Sequence, residues 1–132
     1  MAEYRIPKPG TSIDTFVSEL FQLTNKLQFC HHLTTSFAAH KALDEAYDAT
    51  STLKDSIVEK IMGCTKTRYK TLTLPSLTGY SEAMNMKTAD ELGEYSKRLM
   101  EWARTEKYYD IENLSQELYG VSSQLSYLLT LK

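Results

Sequence analysis

Cysteine, glycine and proline are all scarce in this 132-residue chain, at two, five and three residues. Two cysteines cannot make a disulfide framework. Cys30 and Cys64 fall near opposite ends of the second helix assigned below, roughly 35 to 40 Å apart, far beyond the reach of a bridge, so both are expected to be free thiols. So little turn material argues against a many-stranded sandwich and makes long helices the default. An excess of one charge is also missing. Fifteen Lys plus Arg stand against 17 Asp plus Glu, a net charge of −2, which argues against a constitutive nucleic-acid binder. No apolar run reaches the roughly 18 to 20 residues that span a bilayer. Met1 to Gly10 is polar, carries Pro7 and Pro9, and lacks the apolar core and cleavage site of a signal peptide, so a cytoplasmic location is expected. The common catalytic signatures are missing as well: a Gly-rich phosphate loop, Cys-x-x-Cys, His-Glu-x-x-His and the Gly-x-Ser-x-Gly elbow. The Glu-x-x-His pair of intrachain di-iron bundles is absent too, because Gln28 precedes His31 and Phe37 precedes His40 by three.

What the chain does have is helical periodicity. With 42% apolar and 24% charged residues it reads as one globular domain over 1–132, with an N-terminal tail at 1–11. Ile13, Phe16, Leu20, Leu23 and Leu27 recur at spacings of three and four after a Gly10-Thr11-Ser12 cap and predict a first helix to about Leu33. A break at Thr34-Thr35-Ser36 leads into a second helix, with Ala39, Leu43, Ala46, Thr50, Leu53, Ile57 and Ile61 on its apolar arc, expected to stop at Gly63. Residues 64–87 carry no stripe for most of their length, although Ser81 to Met86 could form one or two turns. A connection this long usually has a task, here returning the chain along the whole bundle. Thr88-Ala89-Asp90-Glu91 reads as the capping box of a third helix with Leu92, Tyr95, Leu99 and Trp102 inward. Asp110 is the expected cap of a fourth, striped by Ile111, Leu114, Leu118, Val121, Leu125 and Leu128. Two tight helix pairs joined by a long crossover predict an all-α, ferritin-like four-helix bundle. The basic residues Lys66, Arg68 and Lys70 of the crossover are expected to be a solvated loop.

The chemistry-bearing residues gather on the first two helices. All three histidines, His31, His32 and His40, lie within ten residues, and Asp44, Asp48, Asp55 and Glu59 follow on one face of the second helix, within about 100° of His40. The same arc carries Phe37, Tyr47, Val58 and Met62, which marks it as an interface. His40 and Asp44 lie roughly 16 to 28 Å along the axis from Asp55 and Glu59, so one chain cannot bring them to one metal. Two copies packed antiparallel about a two-fold axis at the level of Ala49 and Thr50 could, with His31 delivered across the short turn. Imidazoles mixed with carboxylates suit Fe(II) or Mn(II) and also hold Zn(II). His32 and Asp48 are expected beside the ligands, as outer partners or alternative ligands.

His31, His40-x-x-x-Asp44 and Asp55-x-x-x-Glu59 resemble the ferroxidase-site pattern of the Dps (DNA-protection) branch of the ferritin-like superfamily. The resemblance implies a di-iron site between subunits, with His31, His40 and Asp44 from one chain and Asp55 and Glu59 from its partner. It implies oxidation of Fe(II) by peroxide or dioxygen, with iron storage or oxidative protection. It also implies a homo-oligomer, a dimer at least and a hollow dodecamer in the family. Where the family has Trp after the first histidine this chain has His32, and the tail holds only Arg5 and Lys8, so DNA binding is expected to be weak or absent. A fainter likeness to small ferritin-like proteins of tailed phages implies action in a bacterial host cell. The alternative expectation is a non-catalytic interaction protein that associates through the second helix by Phe37, Tyr47, Val58 and Met62.

Overall fold

In a computed structural model that describes residues 13–131, four helices form, α1 (Asp14–Leu33), α2 (Phe37–Thr65), α3 (Ala83–Glu106) and α4 (Tyr109–Leu128). The Gly10-Thr11-Ser12 cap lies outside the described residues. Three residues join α1 to α2, and only Lys107 and Tyr108 join α3 to α4, so each pair folds back as an antiparallel hairpin. The hairpins pack side by side, α1 against α3 and α2 against α4. Across the α1–α3 contact Glu19 meets Arg98, and Lys26 meets Glu91 at 2.7 Å, so the later residue on one helix pairs with the earlier residue on the other and the two helices are antiparallel. With α1 antiparallel to both neighbours, α2 and α3 point the same way, and the chain between them must travel the length of the bundle.

Residues 66–82 make that journey along α1. Asp14 at the start of α1 accepts the amides of Lys70 and Thr71 at 2.9 and 3.0 Å. Further along, the Ser18 hydroxyl accepts the Thr73 amide at 2.9 Å and Gln22 Nε2 donates to the Thr73 carbonyl at 2.7 Å. Near the far end the Phe29 and Tyr80 rings meet edge to face at 6.1 Å, and Glu82 bonds the α1–α2 turn. The crossover therefore spans the roughly 30 Å of α1 and finds its hydrogen bonds in side chains of that helix instead of a strand partner.

The apolar stripes meet in one core. Phe16, Leu20, Leu27, Leu43, Ile57, Ile61, Leu92, Tyr95, Leu99, Ile111, Leu118 and Leu125 are all essentially inaccessible to solvent, and Trp102 is buried with them. Several polar residues in this interior are satisfied locally, while the buried Thr50 hydroxyl finds no hydrogen-bond partner. Thr24, Ser96 and Ser115 each donate a hydroxyl to the carbonyl four residues back, at 2.7 Å. α3 and α4 approach closely at Gly93, where an added Cβ would sit 3.0 Å from Ser122 Oγ.

Three boundaries differ from the sequence expectation, each because tertiary contacts outweigh a local signal. α2 runs through Gly63 to Thr65, since Cys64 packs against the core and its thiol donates to Asp110 at 3.5 Å. It ends at Lys66, held in the left-handed region at φ 57° with its amide on the Met62 carbonyl. Thr88 is not a cap, because α3 begins five residues earlier; its buried hydroxyl bonds the Met84 carbonyl at 2.7 Å and faces Cys30 Sγ at 3.8 Å. Asp110 lies in the first turn of α4, not at the cap position, which Tyr108 occupies; its carboxylate accepts the Ile111 amide at 2.9 Å. Both cysteines are free thiols, and burial pushes each above its ordinary pKa.

Gly63 supplies a prediction. It is exposed within α2, and a Cβ there would meet nothing within 4 Å. Gly63→Ala is expected to stabilise the protein by about 0.5 to 1 kcal/mol by removing backbone freedom from the unfolded chain. Urea unfolding measures this as a raised midpoint; a lowered midpoint would contradict the helix assignment at that position.

Candidate functional site

The α1–α2 turn carries the most organised polar constellation. His31 sits in the last turn of α1, half-buried where the apolar stripe of that helix would continue, and His40 in the first turn of α2. Ser36 caps α2 by accepting the Ala39 amide at 3.1 Å, which starts the helix in a register that turns His40 back toward α1. The two imidazoles stack at 4.0 Å between centroids, 19° from parallel. Each is pinned by the backbone of the other: His31 Nδ1 lies 2.9 Å from the His40 carbonyl, and His40 Nδ1 lies 2.9 Å from the His31 carbonyl.

A carbonyl can only accept, so both Nδ1 atoms carry hydrogen. In the neutral imidazole that leaves each Nε2 with a bare lone pair, the state of a metal ligand or a proton acceptor. His31 Nε2 lies 3.8 Å from Asp44 Oδ1, one helical turn beyond His40. His32 is exposed beside the pair, its ring 5.3 Å from that of His31. Phe37 covers the outer side of His40 at 6.5 Å between ring centroids.

The structure thus brings His31, His40 and Asp44 together, with His32 alongside. Asp48, Asp55 and Glu59 are exposed on the outer side of α2, with Asp55 and Glu59 roughly 16 and 22 Å along the helix from Asp44. Among the described residues, no three His, Cys, Asp or Glu side chains converge on a metal position within one chain. At the level of Ala49 and Thr50, where Thr50 itself is fully buried, the residues that face outward are Asp48 and Thr52. The expected apolar patch on this face is smaller than the sequence suggested. Val58 is buried, and Tyr47 and Met62 pack partly against their own core, because the bundle closes over that side of α2; Phe37, 75% exposed, remains.

Sequence reasoning missed Glu82. This exposed carboxylate at the end of the crossover accepts the Thr34 hydroxyl at 2.7 Å through Oε2 and the Thr35 amide at 2.9 Å through Oε1, with Asn85 Nδ2 at 3.1 Å. The Thr34 hydroxyl bond and then the Thr35 amide bond hold its pKa below the usual carboxylate value. Such a group holds the turn above its unfolded-state pKa and releases it as pH falls through the lowered folded value. No motif in the sequence marks Glu82; only the path of the crossover brings it to the turn. A groove of about 810 Å³ under the crossover was also unforeseen, with Leu23 on its floor and Leu74 and Leu77 opposite. Glu19 there is pushed upward by burial, against the opposing effect of Arg98. Arg98 and Lys26 are each already held by a carboxylate, so the groove has structural ion pairs where a catalytic acid–base pair would need freer groups.

Fold and turn together define a four-helix, all-α bundle with a long α2–α3 connection and a paired-histidine corner. Residues 31–129 match a family of unknown function, DUF5856, and the chain belongs to that family. The matched stretch opens on His31 and takes in the other candidate ligands. No curated protein and no solved structure matches the chain. Among the described residues no helix is long and apolar enough to cross a membrane.

Proposed function

We propose that this chain is a Dps-like, iron-oxidising protein whose metal site is completed between two copies, within the ferritin-like layout that the sequence resembles. The observation that carries the reading is the reciprocal Nδ1 bonding of His31 and His40, which fixes both tautomers with Nε2 free. Backbone carbonyls holding the second nitrogen of a histidine are the usual support of a metal ligand. Asp44 beside His31 Nε2 adds an oxygen donor, and this nitrogen–oxygen set fits Fe(II), Mn(II) and Zn(II).

In this reading Asp55 and Glu59 of a second copy, exposed and far from their own histidines, close the site across an antiparallel α2–α2 contact. His32 and Asp48 are outer partners. Fe(II) is the substrate. Two Fe(II) each give up one electron to a peroxide, which takes up two protons and leaves as two waters, and the ferric product passes into a protein cavity. Carboxylates stabilise the higher charge of the product more than that of the reactant. A shell of twelve subunits is the assembly the resemblance implies, and the sparse basic residues favour weak or absent DNA binding.

Anaerobic Fe(II) titration of the purified protein, followed by peroxide, tests this. Saturable ferric absorbance with a sedimentation coefficient that rises on metal addition is the expected result. Association through exposed Phe37 without saturable oxidation above buffer would overturn it in favour of the non-catalytic interaction protein.

A further inference from the structure

We propose that Glu82 is a positioning residue that sets the tautomer and orientation of the His31–His40 pair by capturing the Thr35 amide; its consequence for metal rests on the function proposed above. Had α1 continued, the Thr35 N–H would bond the carbonyl four residues back, which is that of His31. Instead it donates to Glu82 Oε1 at 2.9 Å. The Thr34 amide still bonds the Cys30 carbonyl at 2.9 Å, so the helix ends one residue before His31 would lose its free carbonyl. That carbonyl is one of the unpaired acceptors at a helix C-terminus. It is the oxygen that His40 Nδ1 takes.

The remaining contacts of Glu82 keep it in place for this task. Oε2 accepts from the Thr34 hydroxyl at 2.7 Å and from Asn85 Nδ2 at 3.1 Å, and Tyr80 donates its hydroxyl to Asn85 Oδ1 at 2.8 Å. The crossover is anchored at this end of α1 by the same residues, so the return path of the chain and the histidine corner share one fastening. Without the carboxylate, the Thr35 amide competes for the His31 carbonyl, α1 gains a residue, and His40 loses the acceptor that keeps hydrogen on Nδ1.

Histidine-selective ¹⁵N NMR of the full chain in alkaline buffer, without metal, reads this directly. In the wild type His31 and His40 carry hydrogen on Nδ1. Glu82→Ala is expected to move His40 to a mixture rich in Nε2–H while leaving His32 unchanged. Glu82→Gln, whose amide oxygen still accepts the Thr35 N–H, restores the wild-type pattern. Zn(II) affinity is expected to fall about tenfold in Glu82→Ala and to recover in Glu82→Gln. Thr34→Val, which removes the hydroxyl contact to Glu82 and with it the acceptor of the Ser36 amide at 3.2 Å, provides a second variant should Glu82→Ala fold poorly. A shift of His40 toward Nε2–H smaller than that expected for Glu82→Ala supports the proposal, and no shift counts against it. Unchanged tautomers in a folded Glu82→Ala protein would overturn the proposal even if metal binds. A tautomer shift in a protein that binds no metal would uphold it and sink the metal reading alone.

Discussion

Replacing His40 with alanine is expected to lower divalent-metal affinity by about 100-fold or more, with little change in folding stability. The substitution removes one Nε2 donor outright. It also removes the ring stacked at 4.0 Å on His31 and the Nδ1 bond to the His31 carbonyl, so the remaining imidazole is less held. His40 lies at the half-buried edge of the bundle, and the core residues beneath it keep their contacts, so the cost to folding stays near 1 kcal/mol. Asp55→Ala, at an exposed position on the other half of α2, is expected to lower affinity comparably although it touches neither histidine of its own chain. Isothermal titration with Zn(II) alongside urea unfolding separates the two effects. Wild-type affinity in His40→Ala would remove the histidine pair from any metal role.

Phe16→Ala is expected to do the reverse, destabilising the protein by about 3 to 5 kcal/mol while leaving the turn intact. Phe16 is fully buried where α1 meets α3, with Tyr95 edge-on at 6.1 Å and Trp102 at 5.1 Å. Truncation leaves a cavity that two large aromatic rings cannot close without leaving their rotamers. The Tyr95 hydroxyl keeps its acceptor, since the bond at 2.8 Å is to the Phe16 carbonyl. Against a total stability of about 5 to 15 kcal/mol this is a large fraction, and the thermal midpoint is expected to drop by about 10 °C or more. Phe16 lies roughly 22 Å along α1 from His31, so the histidine tautomers of the folded fraction should match the wild type. A loss below about 1 kcal/mol, measured by urea unfolding, would contradict the core assigned here.

The contrast between these two positions explains how much of the molecule could be read from sequence. Phe16, Leu20 and Leu27, like Tyr95 and Leu99, repeat at helical spacing because burial acts on every turn, so the four helices, their inward faces and the crossover were legible. The close of α1 at Leu33 was legible as well, but the end of α2 and the starts of α3 and α4 were not, because they depend on partners distant in sequence. Gly63 stays helical because Cys64 finds Asp110, and Thr88 is interior to α3, where its hydroxyl faces Cys30 of α1. The same holds at the site. The clustering of His31 and His40 was visible. Their reciprocal backbone bonds were not, since they depend on the three-residue turn and on Glu82, brought there by a crossover with no periodic signal. Val58 shows the opposite error: its position on the helical wheel placed it with the acids, but the bundle buries it.

The central claim is that one chain supplies His31, His40 and Asp44 while another supplies Asp55 and Glu59. Mixing His40→Ala with Asp55→Ala chains and purifying the heterodimer through two different tags tests it most directly. In that heterodimer one site pairs intact histidines with an intact acidic end, and the other carries both defects. Metal content of about half the wild-type value per dimer, from two parents that each bind almost none, is the result the account predicts. A heterodimer as empty as its parents, or parents that bind metal as monomers, would contradict it.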